Sequence, residues 1–543
     1  MDAKTSNGER RHITIKLWPP SQNTRKMLVE RMTNNLSTPT IFTQKYGTFS
    51  NAEALIHAER IEELAFSTAN QHYEQEPDGD GSAAVQLYAK ECSKLILDVL
   101  KGGAGSVKIE EKEIPKSEDD STPRETVFDI SKGQRAFIEE DEARTLLAPL
   151  KAPGNSYTKI CFSNRSFGLG AANVAGPILA SIKAQLKEVD LSDFVAGRPE
   201  VEALEVMNIF SEALEGSKLK YLNISDNALG EKGVRAFGKL LKSQPGLEEL
   251  YLMNDGISKE AARAVRELVP STDKLRVLHF HNNMTGDEGA VAISKILDRC
   301  PSLEDFRCSS TRVGSEGGTA LSEALAKCTN LKKLDLRDNI FGVEAGLKLS
   351  EAISKLECLE EIYLSYLNLE DDGAIAIADA LKDSAPSLEV LDMAGNDITV
   401  EAAPALAACI GKKTSLVKLN LSENDLKDDG AIQIVKMFGD GHSKLKDVDL
   451  SQNSLRRAAA RLVARAVVGL PGFGFLNVDG NAISDDGVDE LKEIFKLCPE
   501  KLGPLDENDP DGEDLDEKES ADGDGDEELG EKLKKLDVNE GEE

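Results

Sequence analysis

Leu219-x-x-Leu222-x-Ile224-x-x-Asn227-x-Leu229 is one copy of a line that recurs twelve times along a chain of 543 residues. Its relatives include Leu331…Asn339, Leu388…Asn396, Leu416…Asn424, Leu445…Asn453 and Phe473…Asn481. The place held by Asn227 falls in turn at Arg165, Phe194, Asn227, Asp255, Asn283, Thr311, Asn339, Leu367, Asn396, Asn424, Asn453 and Asn481, with steps of 28 or 29 residues and one of 33. Within a copy, the alternation through Leu222 and Ile224 suits a short strand with both side chains turned into a core. A loop carrying the asparagine follows. Glu231–Ser243 then reads as a helix whose apolar face is Val234, Phe237, Leu240 and Leu241.

This is the pattern of a leucine-rich repeat, and it predicts an α/β solenoid over residues 155–503, a horseshoe of about twelve repeats with strands parallel on one side and helices on the other. The repeat length resembles that of the ribonuclease-inhibitor class. A side-chain amide buried in each loop can satisfy backbone groups of its own coil and the next, so periodicity assigns every asparagine, Asn227 included, to a structural ladder. Asp255, with Asn254 before it, reads as a substitution within that ladder.

A formal net charge of −32 excludes a general binder of nucleic acid or anionic membrane and points to basic protein partners. Nearly half of it is local: residues 504–543 hold 19 acidic and 4 basic side chains, a net of −15, and too little apolar surface to offset the entropy of ordering. That segment is expected to be a disordered acidic tail. The eight cysteines show no C-x-x-C pair and no zinc spacing, which suits reduced thiols of an intracellular protein. No signal-peptide pattern and no apolar run of membrane-spanning length is present, so a soluble chain without direct membrane insertion is expected.

Residues 1–115 lack the repeat. Ser21–Leu36, Ala52–Asn70 and Ala83–Leu100 read as helices of a small all-α module, the first entered through Trp18-Pro19-Pro20 with Ser21 as its cap. Residues 116–154 are the expected linker and N-terminal cap, with Val127–Leu150 covering the open end of the stack. Asp486–Cys498 reads as the helix of the last repeat.

The stretch Leu222-Asn223-Ile224-Ser225-Asp226-Asn227-Ala228-Leu229-Gly230, preceded by Asp190-Leu191-Ser192-Asp193-Phe194-Val195-Ala196-Gly197-Arg198, resembles the GTPase-activating proteins for Ran, as do the repeat number and the acidic tail. Lys16-Leu17-Trp18-Pro19-Pro20-Ser21, followed by Arg25 and Met27–Met32, resembles the plant WPP domain, which plant members of that family join to the repeats. The resemblance implies an activator that is not itself an enzyme and stimulates GTP hydrolysis by Ran in support of nucleocytoplasmic transport. It implies that Asn227 helps settle Ran's own glutamine beside the attacking water without an arginine finger, with Arg198 and Asp226 as partner contacts. Trp18, Pro19 and Pro20 become targeting residues for coiled-coil anchors at the outer nuclear envelope, with cytoplasm and mitotic division structures such as the cell plate as further locations. GTP and Mg belong to Ran in this reading, so the chain needs no cofactor of its own. The alternative is a non-catalytic scaffold or immune-receptor cofactor, with immune receptors as partners; it predicts binding without altered GTP turnover.

Other motifs fail on spacing. Asp78-Gly79-Asp80-Gly81-Ser82 begins like a calcium loop, but Ala83 stands where the turn glycine is needed. Gly168-Leu169-Gly170 lacks the later glycine of a dinucleotide loop, and no phosphate loop occurs. His279 and His281 have neither metal-ligand nor triad spacing.

Overall fold

The computed structural model describes residues 25, 29, 32, 33, 36, 51–75, 87, 88, 90, 92, 94–96, 99, 126–131, 135–270, 272–509 and 511. They fall into two compact units, divided near residue 124. Trp18-Pro19-Pro20, the turn at Asp78–Ser82 and nearly all of the acidic tail lie outside the described residues.

In the N-terminal unit, the helix Asn51–Gln75 lines up Ala54, Ala58, Ile61, Ala65 and Ala69 at steps of three and four, and all five are buried. Met32, Leu36, Tyr88 and Cys92, each helical, complete this small core. Glu62 is buried on the same helix and is held by two bonds from Arg25, at 2.6 and 2.8 Å, and by the Tyr88 hydroxyl. Burial alone pushes the Glu62 carboxyl up, but the Arg25 and Tyr88 hydrogen bonds outweigh it and leave it below the usual range. Three stretches far apart in sequence are thus tied by one ionic group.

The second unit is the repeat stack. Thirteen strands, all parallel and in chain order apart from one side pair, form a single sheet among the described residues. Most are three residues long, such as Tyr221–Asn223 and Glu249–Tyr251, and each pairs in register with the next, Leu222 opposite Leu250. A three-residue strand with one buried position cannot be stable alone; stacking supplies both its hydrogen bonds and its core. The apolar core runs unbroken from Phe128 to Phe495.

The sheet begins before residue 155. Thr126–Asp129 is its first strand, paired with Tyr157–Cys161, while Ala136–Ile138 pairs with Arg165–Phe167 in the separate two-stranded sheet. The helix Glu140–Leu146 and the 3₁₀ turn Ala148–Lys151 bury Ala143, Leu147 and Leu150 against the stack. The cap expected over Val127–Leu150 is therefore an irregular first repeat. Its lack of an asparagine line hides it from the periodicity.

The far end needs a correction. Leu502 makes a parallel bridge to Leu476, the Gly503 N–H donates to the Leu476 carbonyl at 2.7 Å, and the Asn481 N–H donates to Oδ1 of Asn508 at 2.9 Å. Asn508 takes the ladder place once more, so ordered repeat structure passes the boundary drawn at 503. The acidic composition of that window conceals Leu502, Leu505 and Asn508, which carry the apolar and amide positions.

Helix Glu231–Ser243 is also resolved differently, as Gly230–Ala236 and Gly238–Lys242 meeting at Phe237. All eight cysteines are free thiols, with Cys300 and Cys328 buried in successive repeats.

Candidate functional site

After each strand the chain turns sharply, and the residue just before the ladder place takes a left-handed conformation. φ is +52° at Asp193, +63° at Asp226, +53° at Asn254, +58° at Asn282 and +54° at Asp338. Short polar side chains tolerate this region because they bond locally and lack a branched Cβ. The geometry turns these side chains outward in a row, while the following residue turns in. Asp226, Asn254 and Asn282 are accordingly exposed, whereas Asn227, Asp255 and Asn283 are buried.

The outward row is bonded along its length. Asn254 donates from Nδ2 to Oδ1 of Asp226 at 2.9 Å, and Asn282 donates from Nδ2 to Oδ1 of Asn254 at 3.1 Å. This rim places one carboxylate and two amides in fixed positions at the mouths of consecutive repeats.

Asn227 lies beneath it, 5% exposed. Its Oδ1 accepts the backbone N–H groups of Phe194 at 2.9 Å and Val195 at 3.3 Å. Its Nδ2 donates to the carbonyls of Leu191, Ile224 and Ser225 at 2.8, 2.9 and 2.9 Å. Every donor and acceptor of the amide is occupied. The later repeats copy the pattern, with Asn283 serving the N–H groups of Asp255 and Ile257, and Asn339 those of Thr311 and Val313. Periodicity assigned Asn227 to the ladder, where it is buried, while the resemblance gave it a part beside Ran's glutamine and made Asp226 a partner contact; the side chains that reach solvent at this turn are Asp226 and, from the next repeat, Asn254. The missed signal was the position before the ladder residue, occupied by aspartate or asparagine in repeat after repeat.

Arg198 is likewise engaged. Its guanidinium donates to Oε1 of Glu139 at 2.6 Å and to the Ser166 carbonyl at 2.8 Å, and lies over the Phe137 ring at 4.9 Å, leaving 9% of the side chain exposed. Gly197 permits the approach: φ is +81°, and a Cβ there would stand 3.0 Å from the Phe137 ring. Arg198 and Asp226 both line a groove of about 620 Å³, floored by Leu204, Met207 and Leu229 and closed on one side by the Glu200–Lys232 ion pair. Nearby, the rings of Phe167, Phe194, Phe210 and Phe237 pack edge-on or tilted, with centroids 5.0 to 6.0 Å apart. The site thus sits on a stiff base.

On the strand face below, His279 Nε2 lies 3.1 Å from Oδ1 of Asp305, and Arg307 pairs with the same carboxylate. Burial raises the Asp305 carboxyl, but His279 and Arg307 outweigh it and hold the carboxyl at about 2. Among the described residues no group of His, Cys, Asp and Glu is arranged to hold a metal ion, and no helix is long and apolar enough to cross a membrane.

Over 501 residues and 92% of either chain, this sequence is 73% identical to RAN GTPase-activating protein 2 of Arabidopsis thaliana. The chain belongs to the Ran GTPase-activating protein family. RAN GTPase-activating protein 1 of the same plant is 62% identical over 515 residues, 95% of each chain. Residues 14–110 match the WPP domain, and residues 217–238, 327–350, 384–407 and 412–435 match a leucine-rich repeat. The chain is also 36% identical over 105 residues to MFP1 attachment factor 1 of Solanum lycopersicum, covering 19% of this chain and 68% of that protein. This Ran GTPase-activating protein therefore joins two modules, each with relatives of its own, and nothing in the likenesses favours a non-catalytic scaffold.

Proposed function

We propose that this activator works on Ran by grip and positioning from the rim, with Asp226 and Asn254 as its forward groups, Asn227 closing the loop behind Asp226, and Arg198 fixing the neighbouring first repeats. The chain stimulates GTP hydrolysis by Ran. Hydrolysis by a small GTPase needs an oriented water and stabilised charge on the transferred phosphoryl group. A neutral amide is neither nucleophile nor base at physiological pH, so what it offers is orientation. The observation that carries this reading is the bonded row Asp226–Asn254–Asn282, exposed and fixed by left-handed backbone. Asn227 contributes by closing the loop that presents Asp226; serving Ran's glutamine directly would require it to leave its five hydrogen bonds. Arg198 contributes by locking the first repeats to the irregular cap, and its position in the groove makes it a contact for a partner seated there. GTP and Mg arrive with Ran, and the chain acts on the partner's active site.

The N-terminal module anchors the activator, in this reading, to coiled-coil proteins of the outer nuclear envelope through Trp18-Pro19-Pro20, keeping Ran-GTP low on the cytoplasmic side. The WPP match and the likeness to an attachment factor support it.

Single-turnover hydrolysis of Ran-bound GTP tests the rim. Asn254→Ala is expected to lose on the order of a hundred-fold in rate with an unchanged circular-dichroism spectrum and only a small fall in melting temperature from the left-handed backbone and the lost rim bonds. A rate equal to that of the parent chain would remove Asn254 from the mechanism.

A further inference from the structure

Asp255 takes the ladder place in the repeat that follows Asn227, and it is fully buried. Its Oδ1 does what an asparagine oxygen does, accepting the N–H of Asn227 at 2.9 Å. Its Oδ2 stands where the neighbouring repeats have an amide nitrogen, and it is buried without a hydrogen-bond partner. On either side that nitrogen is a donor: Asn227 gives to Leu191, Ile224 and Ser225, and Asn283 gives to Leu252, Phe280 and His281. By the same offsets, the oxygens meeting Oδ2 of Asp255 are the carbonyls of Ile224, Leu252 and Met253. All of them are acceptors.

A carboxylate in that position would face acceptor against acceptor in a buried place, with no cation to offset it. From the preceding loop the charged group acting on it is Asp226, itself negative. From the following loop come Asn282, Asn283 and Met284, which carry no charge. Thr311 fills the same place with a donor, its hydroxyl giving to the Cys308 carbonyl at 2.9 Å.

We propose that Asp255 is carried as the neutral carboxylic acid, its Oδ2 proton donated to the loop carbonyls, and that in this form it is the positioning residue that sets Asp226 and Asn254 for Ran. Its Oδ1 fixes the Asn227 backbone directly behind Asp226, and Asn254 is its own chain neighbour. Loss of the proton leaves repulsion at the centre of the rim. Burial, which pushes this carboxyl well above its usual range, acts in the same direction.

The proposal rests on the rim being the Ran-facing site, and one arm of its test does not involve Ran. Infrared difference spectra of the full chain against Asp255→Asn at neutral pH are expected to show a protonated carboxyl; a carboxylate band overturns the proposal. The second arm follows kcat and KM for Ran-GTP as pH is raised across the deprotonation that the infrared spectra locate. The parent chain is expected to lose about ten-fold in kcat, with little change in KM, as pH rises, while Asp255→Asn, which donates at every pH, shows no such fall. Superimposable profiles overturn the positioning role. A parent chain that never accelerates hydrolysis overturns the Ran reading instead, and leaves the infrared result standing.

Discussion

The side chain of Asn227 bonds to the backbone of Phe194, its Oδ1 accepting that residue's N–H at 2.9 Å across 33 positions of sequence. The longest step between repeats is bridged by the same kind of amide contact as the regular ones, such as that of Asn283 to Asp255. Replacing Asn227 by alanine removes five hydrogen bonds and strands buried N–H and C=O groups. A loss of roughly 2–4 kcal/mol is expected. Urea unfolding of Asn227→Ala measures it, and an unchanged midpoint would mean that the amide serves only the partner.

Arg198→Ala should behave as a structural change as well as a binding one. The guanidinium satisfies the Ser166 carbonyl and pairs with Glu139 of the cap, so its loss is expected to cost about 1–3 kcal/mol and to loosen the first repeats before the rest. Hydrogen exchange would place the added opening between residues 136 and 198. Stability equal to that of the parent, with weakened Ran binding, would assign the arginine to the partner alone.

These two residues show how far the sequence could be read. Periodicity located the ladder to the residue, because a buried amide that serves two coils must recur at every turn of the stack. The same periodicity could not tell which neighbour of the amide faces out, since Asp226 and Asn227 differ by one position and a left-handed φ decides between them. The ends were obscured for another reason. Phe128 and Leu147 at one end and Leu505 and Asn508 at the other belong to repeats that lost part of the line where no further neighbour had to be served. Arg198 read only as a partner contact, its structural role hidden because Glu139, its ion-pair partner, is 59 residues away.

Asp255→Asn should stabilise the protein, and more so as pH rises. The carboxyl has a raised value in the folded state, so folding binds a proton that the unfolded chain releases above its ordinary range. Stability is then full below the unfolded value and falls as pH climbs toward the folded one. Asparagine removes that loss and keeps a donor in the same place at every pH, for a gain of roughly 1–3 kcal/mol at neutral pH. Melting temperatures of the two chains at pH 5 and pH 8 are expected to diverge with increasing pH; convergence would contradict the neutral acid.

In the N-terminal unit the sign is opposite. Glu62 is held below its usual range by Arg25 and Tyr88 despite burial, so its contribution is present above the unfolded value and is lost as pH falls through the folded one. Glu62→Gln leaves Arg25 without its anion and is expected to cost about 2–3 kcal/mol at neutral pH, a cost that shrinks in acid. Circular dichroism of the full chain through an acid titration, with and without the substitution, checks it. A parallel loss at every pH would show that the glutamate acts by shape rather than by charge.

The acidic tail separates two roles according to where it is cut. Residues 512–543 carry 15 acidic and 4 basic side chains, a net of −11, and lie beyond the last ladder contact at Asn508. Removing them leaves the Asn481–Asn508 bond and the Leu476–Leu502 bridge in place, so thermal stability is expected to hold. If the tail steers a basic partner surface, the salt dependence of the Ran association rate should flatten in this truncation while the dissociation rate stays the same. Cutting at 504 also strips Leu505, Asn508 and Asp509 and exposes the edge of the final repeat. That shorter chain, which loses four more carboxylates, is expected to lose stability in its last repeats with only a small further change in salt dependence, which separates steering from capping. Stopped-flow association at two ionic strengths, run on both truncations, reads the two effects independently, and an unchanged slope in the 512 truncation would rule out steering.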